Sequence, residues 1–430
     1  MKDRYNAILK QNSDLWKAVS AEEYDDPFGL VASRVISPVI LLYTLWILDE
    51  AEKQGLKRLY FLARDGYQMY HIAEEICRKR RNGIVCSYFC CSRYALRMAA
   101  YRFFDESAYE RLFLCAYSLS ACSLLRRAGL DKEEQAAVYA DIAFPQAEEH
   151  HVLGRRAFAD LCGKVGKSAV FREILTRKSD AAYAGTIAYI RQEQIQNYDT
   201  VGIVDLGWTG SLQATLRRLL DSDHIGTKLV GFYMGMLTAP PQQPSSQYRS
   251  WLFDEKELMI RAWFAHNLME CICSAPHGMT MGYRRFQGKV SPVFKEQENP
   301  KEPVEYLCSM TRRMLHRYGE KAVYQPQDRW IALHLLQKLM LSPTKQEALA
   351  LSQYRFCDDV GEQYHRTIVQ TGEPQEYQRE LLFWKPFYMD SSDGFYWYCG
   401  SVAASKLVAK PVYRYAYLFT KVLIMKWKRR

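Results

Sequence analysis

Apolar positions along the chain fall into two patterns, unbroken short runs and helically spaced stripes. The longest uncharged, mostly apolar run is Val35 to Leu48, which contains Pro38. It is shorter than the roughly 20 residues that a membrane span needs. Leu30 to Gln54 therefore reads as a buried helix that closes with Asp49, Glu50, Glu52 and Lys53, and Gly55 supplies its stop. Next comes Leu56 to Ala63, whose second half is continuously apolar and suits a strand buried on both faces. It ends in Arg64-Asp65-Gly66-Tyr67, and a helix follows over Gln68 to Lys79. A second strand is expected over Ile84 to Cys90, then Ser92-Arg93 and another helix. This succession is a βαβ unit, which implies a parallel sheet.

From about Asp105 to Gln196 the pattern is helical, with segments at Glu106 to Leu119, Lys132 to Ile142 and Ser168 to Ile195. The sheet resumes at Thr200 to Asp205. A loop, Leu206 to Gly210, and a helix from Ser211 to about Leu220 follow, then a strand at Lys228 to Met236. Pro303 to Val360 is helical again. The expected fold class is α/β: a mostly parallel sheet built from βαβ units, with a large helical insertion and a helical C-terminal region. The boundaries expected are 1–104 for the first part of the α/β domain and 105–196 for the insertion or cap. The second part spans 197–295, the helical region 296–400 and a basic amphipathic tail 401–430.

Composition adds limits. Of 430 residues, 48% are apolar and 25% charged, which excludes a disordered chain, a collagen and a polytopic membrane protein. Net charge is +10, yet Lys406 to Arg430 hold eight basic residues and no acidic one, so the first 405 residues carry only +2. A nucleic-acid binder spreads its positive charge over a folded face, so no nucleic-acid partner is expected. Val412 to Met425 brings in charge only at Arg414 and Lys421. That composition suits either a helix in a membrane interface, with Trp427 at headgroup level, or one docked on the body. None of the 12 cysteines makes a C-x2-C zinc pair, and reduced core thiols are expected. Met1 to Asn6 lacks the apolar stretch of a signal peptide, so the expected location is cytoplasmic, with peripheral contact at the inner membrane face through 406–430.

Candidate chemistry gathers at strand ends. In Asp205-Leu206-Gly207-Trp208-Thr209-Gly210-Ser211-Leu212-Gln213 a strand delivers a carboxylate. Gly207 and Gly210 then let the backbone approach a ligand, and Thr209 and Ser211 offer hydroxyls at a helix start receptive to phosphate. The same residues also suit a tight turn with a serine cap. In the first strand end, Arg64 can pair with phosphate and Asp65 can bind Mg2+, take a proton or attack phosphorus. An Arg–Asp pair at a turn closed by Gly66 is the plainer reading. Ser92, Arg93 and Arg97 follow the second strand to the same edge, where a capped helix with solvated arginines is equally compatible. Glu270 lies near Pro276-His277-Gly278, where His277 is a candidate acid–base group or a turn histidine. P-loop, G-x-G-x-x-G, G-x-S-x-G and H-E-x-x-H motifs do not occur.

Four stretches carry a resemblance. They are Asp26-Pro27-Phe28-Gly29, Phe61-Leu62-Ala63-Arg64-Asp65-Gly66-Tyr67, Ser92-Arg93 with Ala95-Leu96-Arg97, and Val204 to Gln213. Over roughly residues 25–290 the chain resembles bacterial haloacid-dehalogenase-like hydrolases found with enzymes of capsule and other surface-polysaccharide biosynthesis. The phosphatases of that superfamily place two aspartates two residues apart after the first strand. Here Asp65 is followed by Tyr67, and Asp205 by Gly207. The resemblance implies an enzyme that handles a phosphorylated sugar or nucleotide-sugar with Mg2+, working beside surface-polysaccharide glycosyltransferases. On that reading Asp65 and Asp205 hold metal or act as acid and base, Arg64 and Arg93 pair with phosphate, and Gly207 to Ser211 cradle it. Tyr67 and Trp208 would stack on a ring. Two alternatives stand beside it. The Ala63–Gly66 and Asp205–Ser211 loops also resemble those of phosphoribosyltransferases, which implies glycosyl or ribosyl transfer. The third is a non-catalytic scaffold that docks glycan enzymes at the membrane.

Overall fold

The computed structural model describes residues 3–103, 112–113, 120–238, 240, 243, 245–297, 299–319, 323–357, 365–381 and 394–427. Most of the expected helix over 106–119 lies outside them. The sheet is α/β and wholly parallel. Its strands are β1 (Arg58–Leu62), β2 (Val85–Phe89), β3 (Thr200–Trp208), β4 (Lys228–Met236) and β5 (Ser246–Phe253), in the order β2-β1-β3-β4-β5.

Alternation along each strand divides the core. Leu59, Phe61, Val204, Leu206, Val230 and Phe232 join one cluster. It includes the helix Tyr67–Arg80 and the C-terminal helices Glu302–Tyr318 and Pro326–Leu341. Tyr60, Leu62, Val201, Ile203 and Leu229 point the other way, beneath the helices Arg93–Ala100, Ala169–Gln192 and Ser211–Ser222. Both faces are covered, which is why β1 and β4 read as continuous apolar runs.

The apolar helix is one continuous rod over residues 27–53. A π-helical turn, Ala32–Ile36, joins Pro27–Val31 to Ser37–Lys53. Its length and hydropathy would let it cross a membrane, but its apolar stretch is entirely enclosed by the fold. Gln54 and then Gly55, at φ +67°, end it. Tyr43 from this helix places its hydroxyl 2.8 Å from the Asp205 carbonyl and 2.9 Å from the Phe232 carbonyl, pinning the helix across β3 and β4. Tyr43→Phe leaves those two carbonyls without that donor. The expected cost is about 1–3 kcal/mol, read as a lower urea midpoint with an unchanged m value.

The insertion has a core of its own, including Leu124, Val138, Leu161 and Phe171. The helix Ala169–Gln192 bridges it to the sheet, giving Phe171 and Leu175 to that core and Ile187 and Ile190 to the sheet face.

Four segments depart from the sequence-based expectation. Leu206 to Trp208 are strand, not loop, because β3 keeps pairing with β4 as far as Trp208 opposite Met236. Asp205 therefore lies inside a strand. β5 and a hairpin, β6 (Thr280–Phe286) with β7 (Lys289–Phe294), are additional strands. A two-residue ladder, β8 (Arg355–Phe356) with β9 (Arg366–Thr367), interrupts the helical C-terminal region. All 11 described cysteines are free thiols.

Candidate active site

In an open parallel sheet, ligands bind where the strand order reverses, at the carboxyl ends. Here the chain steps from β1 out to β2 and returns to β3 on the other side of β1. Phe61 pairs with Val204, and the Ala63 N–H donates to the Phe89 carbonyl at 3.0 Å. The ends of β2, β1 and β3 thus lie side by side. The Ala63–Arg64 and Gly207–Trp208 peptide bonds are cis.

These ends open into one pocket of about 170 Å³. Since one water needs only about 10–15 Å³ of such volume, this is room for a phosphoryl group with several waters. The remainder of a larger ligand would extend outward. Arg64, Asp65, Ser92, Arg93, Asp205, Gly207, Trp208, Thr209, Ser211 and Glu270 all line it. Ten candidates scattered over two hundred residues of sequence thus share one cavity.

Two carboxylates dominate its electrostatics. Burial, then the charges of Asp205 and Glu270, push Asp65 well above the usual carboxylate range, against the pull of Arg64 and Arg93. Burial, then Glu270, raises Asp205 from 3.8 to about 7, although the Leu206 N–H donates to its Oδ1 at 2.9 Å. Two interacting carboxylates in such a site titrate as a pair and retain a proton near neutral pH.

The surrounding groups divide into donors and walls. The helix Ser211–Ser222 starts at the pocket after Gly210 (φ +67°), which supplies no side-chain cap, and the Ser211 N–H donates to Thr209 Oγ1 at 3.4 Å. Thr209 Oγ1 donates to Ser211 Oγ at 3.1 Å. Ser92, by contrast, is committed. It caps the next helix through the Ala95 N–H at 3.0 Å and donates to the Thr280 carbonyl at 2.6 Å. Trp208 is a wall rather than an open platform. It is 6% exposed, donates from Nε1 to Glu270 Oε1 at 2.6 Å, and stacks on Phe253.

A scan against protein-family models and a search of curated proteins find no significant match to this chain.

Six sequence candidates do not line the pocket. Gly66 lies just behind it, where a Cβ would come 2.8 Å from the Leu62 carbonyl. Tyr67 turns away, edge-on to His71 and Tyr88. Arg97 is half-buried further along its helix. Gln213 is buried and ties the sheet together, donating to the Gln247 carbonyl and accepting from the Tyr233 hydroxyl. His277 Nε2 lies 2.8 Å from the Tyr88 hydroxyl and its Nδ1 2.9 Å from the Gly278 carbonyl, with its ring over Phe294. Gly210 closes the turn without facing the cavity.

Asn299, Arg355 and His365 are lining residues that sequence reasoning missed. They form one wall. Asn299 and Arg355 exchange side-chain and backbone hydrogen bonds at 2.9 and 2.8 Å, and Arg355 donates to the His365 carbonyl at 2.9 Å. On the other side of Trp208 lies a second cavity of about 310 Å³, bounded by Trp263, Phe264, His266, Tyr417 and Lys421. Burial, then Lys421 and Arg93, lowers His266 to about 3, which favours a neutral imidazole between the cavities.

Among the described residues no three His, Cys, Asp or Glu side chains group closely enough to hold a metal ion. Mg2+ is usually bound through one or two carboxylates, with substrate phosphates and water completing its shell. Asp65 and Asp205 fit that lesser role, because each gains from any cation that relieves their mutual repulsion.

Proposed function

We propose that this chain is a hydrolase or transferase acting on a phosphorylated sugar or nucleotide-sugar. The carrying observation is the pairing of proton-retaining carboxylates, Asp65 and Asp205, with Arg64 and Arg93 in one pocket at the strand-order reversal. Its assignment to surface-polysaccharide assembly rests on the resemblance carried by the four motifs.

Arg64 and Arg93 pair with phosphate oxygens, and Arg355 supplies a third cation at the mouth. The helix start after Gly210 adds N–H donors. Asp205, near 7, is suited to take a proton from an attacking hydroxyl or to give one to a leaving oxygen. Asp65 shares that proton and holds the pair's charge at one rather than two. Mg2+, when held by Asp65 and Asp205, would neutralise phosphate charge. Water as acceptor gives hydrolysis, and a sugar hydroxyl gives transfer.

A thermal-shift series tests the reading with sugar phosphates, nucleotide-sugars and phosphoribosyl pyrophosphate, each with and without Mg2+. A ligand at 100 times its Kd stabilises by about 2.7 kcal/mol. One phosphorylated class is expected to shift the wild type. Arg93→Ala, at an exposed position, should weaken that ligand by about ten-fold or more without lowering the unliganded melting point. No shift with any of these ligands in a folded sample would favour the scaffold alternative.

A further inference from the structure

The helix Lys410–Trp427 presents two different faces. One is fastened to the body. Tyr417 stacks on Tyr398 with ring centroids 4.1 Å apart, Arg414 donates to the Pro343 carbonyl at 3.0 Å, Thr420 is buried, and Lys421 lies over the Tyr417 ring at the second cavity. The two charges that the sequence placed within this apolar stretch are thus turned inward.

The opposite face is apolar and open. Val412 is 65% exposed, Tyr415 63%, Phe419 60% and Trp427 74%, and Val408 just before the helix is 87% exposed. These are five of the fifteen exposed large hydrophobic residues among the described ones, so the stripe is a concentration rather than scatter. At 100° per residue, Val412, Tyr415 and Phe419 share one side, and exposed Lys426 falls on that side too. Lys406 is also exposed.

We infer that this outward face seats the chain on an anionic lipid surface. Charge complementarity selects the occupant. Lys406 and Lys426 are exposed beside the apolar face, Lys428, Arg429 and Arg430 follow it in the sequence, and no acidic residue lies from Lys406 to Arg430, on a body of nearly zero net charge. Basic residues beside an apolar face draw a helix onto anionic headgroups, and the apolar face then enters the headgroup boundary. Trp427 stands at the end of the stripe, where an indole favours the interface. A second copy of this chain would bring two such basic segments together and repel. The inward face stays with the body, so docking needs no unfolding. This inference stands apart from the chemistry proposed for the pocket.

Sedimentation of the full chain with vesicles tests it. One set is phosphatidylcholine with roughly one-third phosphatidylglycerol and the other is phosphatidylcholine alone. The chain should sediment with the anionic set and at least about ten-fold less with the neutral set. Raising NaCl from about 0.1 M to about 1 M shortens the screening length from about 10 Å to about 3 Å and should release it. The Phe419→Glu, Trp427→Glu double variant changes only exposed positions. It should keep the wild-type melting point and lose at least about ten-fold in vesicle binding. Unchanged binding of that variant, or no binding of the wild type to anionic vesicles at low salt, overturns the inference. So does a wild-type dimer in solution that the double variant converts to monomer, since the occupant would then be a second copy.

Discussion

Asp205→Asn is expected to stabilise the protein at alkaline pH and, on the proposed function, to remove most of its turnover. In the folded chain the Asp205 carboxyl titrates near 7 instead of 3.8 because burial and Glu270 oppose its ionisation. Between these values the folded state holds a proton that the unfolded chain has released. Stability therefore falls as pH rises from about 4 through about 7. Asparagine cannot ionise, so the variant lacks this loss. Its advantage should be absent at pH 4 and reach about 2–4 kcal/mol at pH 8. The neighbouring Asp65 gains as well, since a charge beside it is gone. If Asp205 is the proposed acid–base group, its loss should lower turnover of a phosphorylated substrate by about 10²–10⁴. Melting curves at both pH values, with turnover on the same samples, read both halves. A variant less stable than wild type at pH 8 would show that Asp205 is a structural anion rather than a strained functional one.

Gly207→Ala should act in the opposite sense, losing stability and ligand response together. Gly207 has φ +133°, a region open essentially only to glycine. It pairs with Gly235 of β4, and a Cβ added there would lie 2.1 Å from the Gly235 carbonyl oxygen. Both partners in that clash are backbone, so no side chain can yield. The expected loss is at least about 3 kcal/mol, seen as a lower urea midpoint at constant m. Retention of the wild-type midpoint would mean that the chain takes another path out of β3.

Much of this architecture is legible in the residues, and the exceptions have physical reasons. β1 and β4 are buried on both faces, so their apolar runs announce them. β5 is a sheet edge whose burial begins only at Trp251, so Ser246 to Ser250 offer no apolar run to read. The β6–β7 hairpin turns on Gln287-Gly288, both at positive φ, the one local signal that could have revealed it. Within the site, Arg64, Asp65, Arg93 and Asp205 were accessible to reasoning because strand ends in a parallel sheet converge. Tyr67, Arg97 and Gln213 have suitable chemistry at suitable places in the chain, but helical phase turns them away. Asn299, Arg355 and His365 had no legible signal, since a two-residue ladder has no periodicity to read.

The order of the strands also sets a timetable for biosynthesis. β1 leaves the ribosome with β2 able to pair on one side, while its other edge waits for β3, roughly 140 residues later. The Asn299–Arg355–His365 wall follows Arg93 by roughly 270 residues, a delay on the order of 15–50 s at ordinary translation rates. During that interval the nascent chain exposes an open parallel edge and the 27–53 helix without its C-terminal cover. These surfaces are prone to association until they are covered, and the pocket closes only near the end of synthesis.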